Sequence, residues 1–256
     1  MNKQTQTMAG RLDFGGGLLG LMAVCLIAIV AFGRTAMAQS TIFNIPTTDT
    51  VATKKAYLEF DYFVQAPKAE GSDRLSLYVP RGVVGLGKNV EAGANLAVVH
   101  SGDSNNVFFQ PNMKWKFFSG EKGTAASIGG ILFTPVNNRK GVDTYGMLYA
   151  NLSQKIGKYG TRLTVGPYGV VGGSNLFAGQ QKVGAIVGFE QPLNAKISVV
   201  ADWFSCKNGF GYFTPGISIN LPHSGLLNAG YSIGNDSYHA NVTHNRLVFL
   251  YYGVTF

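Results

Sequence analysis

Residues 247–256 read LVFLYYGVTF. Counting back in twos from Phe256, through Val254, Tyr252, Leu250 and Val248, gives one wholly apolar face, so the segment is expected to be a strand. A chain end normally frays in water. For an apolar, aromatic end to stay ordered, something must cover one face and pair its backbone. Lipid around a closed sheet meets both requirements.

The opposite end supplies the compartment. Lys3 and Arg11 flank the start of an apolar run from Gly15 to Phe32, and Ala36-Met37-Ala38 makes a small-x-small pattern before Gln39. Residues 1–38 therefore read as a cleaved secretory signal peptide. A retained anchor helix is the rival, since the run has about the minimum length for a bilayer, but Arg34 and the Ala-x-Ala site favour cleavage. Val24 precedes Cys25 where lipidation wants a small residue, and Cys206 is then the lone cysteine of the mature chain.

Without residues 1–38 the 21 basic and 13 acidic residues become 18 and 12, a net +6. The cations are scattered, with Lys54–Lys55 and Arg139–Lys140 as the only adjacent pairs, so the basic stripe of a nucleic-acid surface is missing. Thirty-four glycines disfavour helix and ease sheet curvature, and no second apolar run is long enough for a membrane helix. No repeat or Pro-rich linker divides the chain, so residues 54–256 are expected to form one domain. Residues 39–53, QSTIFNIPTTDTVAT, read as a short periplasmic lead segment before it.

From Lys54 onward, runs of about ten residues alternate apolar and polar positions between turn signals, which is the strand signature of an outer-membrane barrel. Twelve are expected, near 54–64, 74–84, 90–100, 107–118, 124–134, 143–153, 161–171, 182–190, 195–205, 211–220, 226–234 and 246–256. Connections after even-numbered strands are short, such as Gly157-Lys158-Tyr159-Gly160, and those after odd-numbered strands are mostly longer, as barrels with short periplasmic turns require. Parity is clear in several strands. Phe109, Met113, Trp115 and Phe117 oppose Gln110, Asn112, Lys114 and Lys116; Ile197, Val199, Ala201 and Trp203 oppose Lys196, Ser198 and Asp202; and Leu58, Phe60 and Tyr62 oppose Glu59 and Asp61. A soluble sandwich would also alternate. The aromatics Trp115, Phe117, Trp203, Tyr252 and Phe256 fall toward strand ends, where interfacial girdles sit, and favour a transmembrane, antiparallel, up-and-down β-barrel of all-β class.

The last ten residues resemble the assembly signal of bacterial outer-membrane proteins, in which a final Phe and alternating hydrophobic residues, here Phe256, Val254, Tyr252 and Leu250, are recognised by the barrel-insertion machinery. More widely, TIFNIPTTDT and YVPRGVVGLGKNVEAGANL look like porin-like outer-membrane proteins of Gram-negative bacteria. That resemblance implies residence in the outer-membrane lipid and names no substrate.

Twelve strands lie between the filled eight-stranded barrel and the open channel of sixteen, so a narrow lumen for small solutes or ions is expected. The candidate lumen charges are Glu59, Asp61, Lys114, Lys116, Arg162, Lys182, Glu190, Lys196 and Asp202, each costly on a lipid face. Lys114 and Lys116, two apart on one strand, suggest a preference for small anions. One competing class is a structural or adhesive barrel, against which the modest loops argue. Another is a lipid hydrolase using His100 in VVHSGDSNN, where Ser101, Ser104 and Asn105 stand near a potential base, although Gly102 occupies the position where the hydrolase element wants Ser. Turn composition explains that stretch equally well. His239 and His244 in the last loop lack the arrangement of a metal site, and neither a cofactor nor catalysis is expected.

Overall fold

The computed structural model describes residues 41–66, 73–137, 139–140, 142–174, 176–235 and 246–256. The expected signal peptide, His239 and His244 lie outside them. Twelve antiparallel strands close into a barrel: β1 (Ala56–Gln65), β2 (Leu75–Gly87), β3 (Val90–Ser101), β4 (Ser104–Ser119), β5 (Ala125–Pro135), β6 (Tyr145–Ile156), β7 (Thr161–Gly172), β8 (Val183–Pro192), β9 (Ile197–Phe204), β10 (Tyr212–Leu221), β11 (Gly225–Gly234) and β12 (Arg246–Thr255). Each strand pairs with its neighbours in sequence, and β12 closes on β1 from Tyr57↔Thr255 to Gln65↔Leu247. All twelve expected strands are present, with ends within three residues of expectation.

Closure gives the terminal strand its backbone partners. It bonds β11 on one side and β1 on the other, and the Phe256 N–H reaches Ala56 O at 2.8 Å. Its inner Leu247, Phe249 and Tyr251 are buried, while its outer Val248 and Leu250 are 42% and 49% exposed. Trp115, Met113, Leu148, Val165 and Ile217 are likewise exposed on the outer wall. An apolar exterior around a partly polar interior is the inverse of a soluble barrel.

Two hairpins show how local sequence sets the ends. Lys88 and Asn89 both take positive φ between β2 and β3, as a two-residue turn of matching twist requires. Gly102, at φ +58°, does the same between β3 and β4. Residues 101–106 are therefore mostly strand rather than the loop expected there, and His100 pairs with Asn105 across the hairpin. Pro80, Pro111, Pro167 and Pro215 sit mid-strand. Beside each one the pairing with one neighbour skips, as between Tyr78↔Val98 and Arg81↔Asn95, because proline has no N–H to donate.

Residues 41–53 correct the sequence reading. They are not a lead segment ahead of the barrel but run up inside it, with Ile42, Phe43, Ile45, Thr47 and Thr48 at most 1% exposed. The path begins at β2, where Thr53 bridges Gly85 in parallel and the Lys54 N–H donates to Gly85 O at 3.0 Å. It ends in a turn closed by a Thr41↔Pro46 bridge and an Ile42 N–H to Ile45 O bond of 2.9 Å. Wall side chains alone do not fill a lumen of this width. The segment supplies the missing volume, apolar at its tip and threonine-rich along its stem.

Candidate functional site

The lumen holds the inserted segment through side chains that come from the wall. Asp202 of β9 is the central one. Its Oδ2 accepts the backbone N–H groups of Phe43, Asn44 and Ile45 at 3.1, 2.6 and 3.1 Å, so a fully buried carboxyl is satisfied by three donors of one turn. Asn44 completes the socket, donating from Nδ2 to Thr214 Oγ1 at 3.1 Å and accepting from the Tyr251 hydroxyl at 3.2 Å. The apolar tip sits over glycines. A Cβ on Gly188 would lie 2.3 Å from Ile42 Cδ1, and one on Gly216 would lie 3.0 Å from Phe43 Cε2.

The stem is tied to the opposite wall. The Asn151 amide donates to Pro46 O at 2.6 Å, Thr48 and Ser153 share a hydroxyl bond of 2.8 Å, and the Val51 N–H donates to Glu91 Oε2 at 2.7 Å. Asp49 pairs with Arg162, which also binds Glu190. Burial pushes the Asp49 carboxyl up, but the charge and hydrogen bonds of Arg162, with Lys116 and Lys114 beyond, outweigh it and hold the group below the usual carboxylate range. Asp49, Arg162 and Glu190 border a cavity of about 180 Å³, which Ser198, Asn220, Val200 and Leu226 also line.

The loop-side half is aromatic instead. Phe133 of β5 stacks on Tyr145 of β6 at 4.5 Å, Phe177 and Phe210 from two loops stack on each other at 5.9 Å, and Tyr168 meets Phe204 edge-on at 5.0 Å. Phe43 joins this core through Phe249 at 4.8 Å. From turn side to loop side the lumen thus passes from charged groups to rings.

The expected lumen charges divide. Glu59 and Asp61 face inward and share Arg81, at 3.3 and 2.6 Å. Lys114 is 2% exposed and paired with Glu91 at 3.0 Å, whereas Lys116 is partly buried on the same face. Lys182 lies just ahead of β8 and donates to Gly172 O at 2.9 Å. Lys196 is a correction: the Lys196 and Ile197 N–H groups both donate to Asn194 Oδ1, curling residues 193–196 into an exposed turn outside the lumen. Arg81 and Glu91 were missed. Arg81 stands between Val79 and Val83 on its own face, so its strand shows no polar parity, yet an arginine in a membrane strand must face inward or incur about 2–4 kcal/mol. His100 faces outward and bonds Asn105 Oδ1 through Nδ1 at 2.8 Å.

No protein-family model matches the sequence, and no curated protein matches it. Among solved structures, the COG4313 outer membrane channel from Pseudomonas putida F1 is similar, with a TM-score of 0.50 and 13% identity over 86% of this chain and 100% of that chain. The likeness is one of fold. It sets this twelve-stranded barrel beside an outer-membrane channel.

Proposed function

We propose that this protein is an outer-membrane channel for small solutes, closed in this conformation by its own residues 41–53 and opened when they leave the lumen. The carrying observation is how the segment is held. Beyond the start of its stem at Gly85, wall side chains such as Asp202, Ser153, Glu91 and Asn151 tie it to the barrel, so it can depart without breaking the barrel's closure. The fold likeness to a channel and the apolar exterior support the same reading. With the segment gone, Arg162 stays paired with Glu190, and Lys116 faces the water of the turn-side half and gives a weak preference for anions.

The test is single-channel recording in planar bilayers under a salt gradient, comparing the mature protein with a variant lacking residues 41–50. The intact protein should give small or infrequent steps, and the shortened one larger, steady ones. If both refold into heat-modifiable barrels and neither passes current, the channel reading fails and a structural barrel with a filled lumen takes its place.

A further inference from the structure

On the outer wall near the loop-side rim lies a groove of about 530 Å³, bordered by Trp203, Cys206, Lys207, Phe213, Ile233 and Asn235. Its geometry follows from strand register. Trp203 of β9 lies opposite Phe213 of β10, Phe213 opposite Ile233 of β11, and Ile233 opposite Arg246 of β12, so three apolar side chains and a guanidinium form one row across four strands. Trp203 and Phe213 are 39% and 45% exposed, and Arg246 and Lys207 are exposed as well.

The floor is fixed before any ligand arrives. Asn235 donates from Nδ2 to Phe204 O at 3.0 Å and to Cys206 O at 2.9 Å, and its Oδ1 accepts the Trp203 indole N–H at 3.0 Å. One amide thereby clamps the end of β9 to the end of β11 and sets the indole's orientation. Cys206 holds φ +98°, a strained value for a side chain-bearing residue, and its thiol donates to Val183 O at 2.9 Å. Lys207 borders the groove and Arg246 stands at the β12 end of the row, neither with an ion pair among the described residues.

We propose that the groove is a binding site for an anionic lipid of the surrounding leaflet, its acyl chain lying along Trp203, Phe213 and Ile233 and its phosphate meeting Lys207. The complementarity is that of a phosphorylated amphiphile: apolar surface toward the bilayer, a lysine with no ion pair among the described residues at its edge, and a tethered indole beside it. The inference rests on the barrel sitting in a membrane and is independent of whether the lumen conducts.

The experiment uses the mature protein carrying Trp115→Phe, which leaves Trp203 as the only indole of the two in the chain. In phosphatidylcholine nanodiscs, its fluorescence is quenched with brominated phosphatidylglycerol or with brominated phosphatidylcholine at equal fraction. The anionic lipid should be enriched at Trp203 by about fivefold, and Lys207→Gln should abolish the preference while quenching by the zwitterionic lipid persists. Equal quenching by the two lipids in the protein with Lys207 present overturns the site and leaves the channel reading standing. No quenching by either lipid would place Trp203 outside the bilayer and overturn the site as well, while the channel reading would still be decided by the bilayer recordings.

Discussion

At the scale of single residues, Asp202 is the anchor of the inserted turn. A carboxylate buried without charge compensation is unfavourable by several kcal/mol, and here the compensation is the turn at Phe43–Ile45. Asp202→Ala removes the acceptor of three N–H groups, each worth about 1–3 kcal/mol when left unsatisfied. Amide hydrogen exchange at Phe43–Ile45 should rise by at least about tenfold, and Asp202→Asn, which keeps one acceptor oxygen, should fall between. Asp49 adds a pH dependence whose sign follows from its lowered pKa. Its contribution to docking is complete above the free carboxyl's value of about 3.9 and is lost as pH falls through the lower docked value. Exchange in residues 47–51 should therefore accelerate on acidification below about pH 4, and Asp49→Asn should lack that step; an unchanged acid response in the variant would assign the effect to other groups.

At the scale of elements, the inserted segment and the wall are fitted to each other through absent side chains. Gly188 of β8 leaves room for Ile42 and Ile45, whose Cδ1 atoms would lie 2.3 and 2.7 Å from a Cβ there. Gly188→Val should displace the tip while β8 keeps its pairing, and bilayer recordings should then approach those of the variant lacking residues 41–50. The terminal strand carries a different prediction. Phe256 exchanges backbone bonds with Ala56 at 2.8 and 3.3 Å, each worth about 0.5–1.5 kcal/mol, and we propose that it also serves recognition by the barrel-assembly machinery. Removing it should reduce the heat-modifiable fraction in cells more than in refolding into lipid, and an equal loss in both would confine its role to β12 pairing. The strands themselves were legible because parity on an outer apolar wall is a period-two signal. β3 and β4 were read short because Ser104, Asn105 and Asn106 have turn composition, and only the pairing that Gly102 permits makes them strand.

For the whole molecule, the lumen's charges are a set of local neutralisations. Arg81 serves Glu59 and Asp61, Lys114 serves Glu91, and Arg162 serves Glu190 and Asp49. Lys114 is consequently a poor lever on selectivity, since reversing it would bury two carboxylates together and unfold the site. Lys116→Glu in the variant lacking residues 41–50 is the better test. Its reversal potential should shift toward cations, and an unmoved potential would remove Lys116 from the permeation path.

The sequence by itself determined the closed antiparallel barrel, its twelve strands and the sidedness of Glu59, Asp61, Arg162 and Asp202. Each of those follows from alternation that a strand imposes locally and that lipid enforces along its length. Tertiary structure alone decided what fills the barrel. Residues 41–53 have no period that marks them as a lumen segment, because their partners, Asp202, Asn151, Glu91 and Arg162, lie between about 40 and 160 residues away and meet them only once the sheet has closed. Charges legible as inward-facing became an occupied site when closure brought opposite walls within hydrogen-bonding reach of one extended chain.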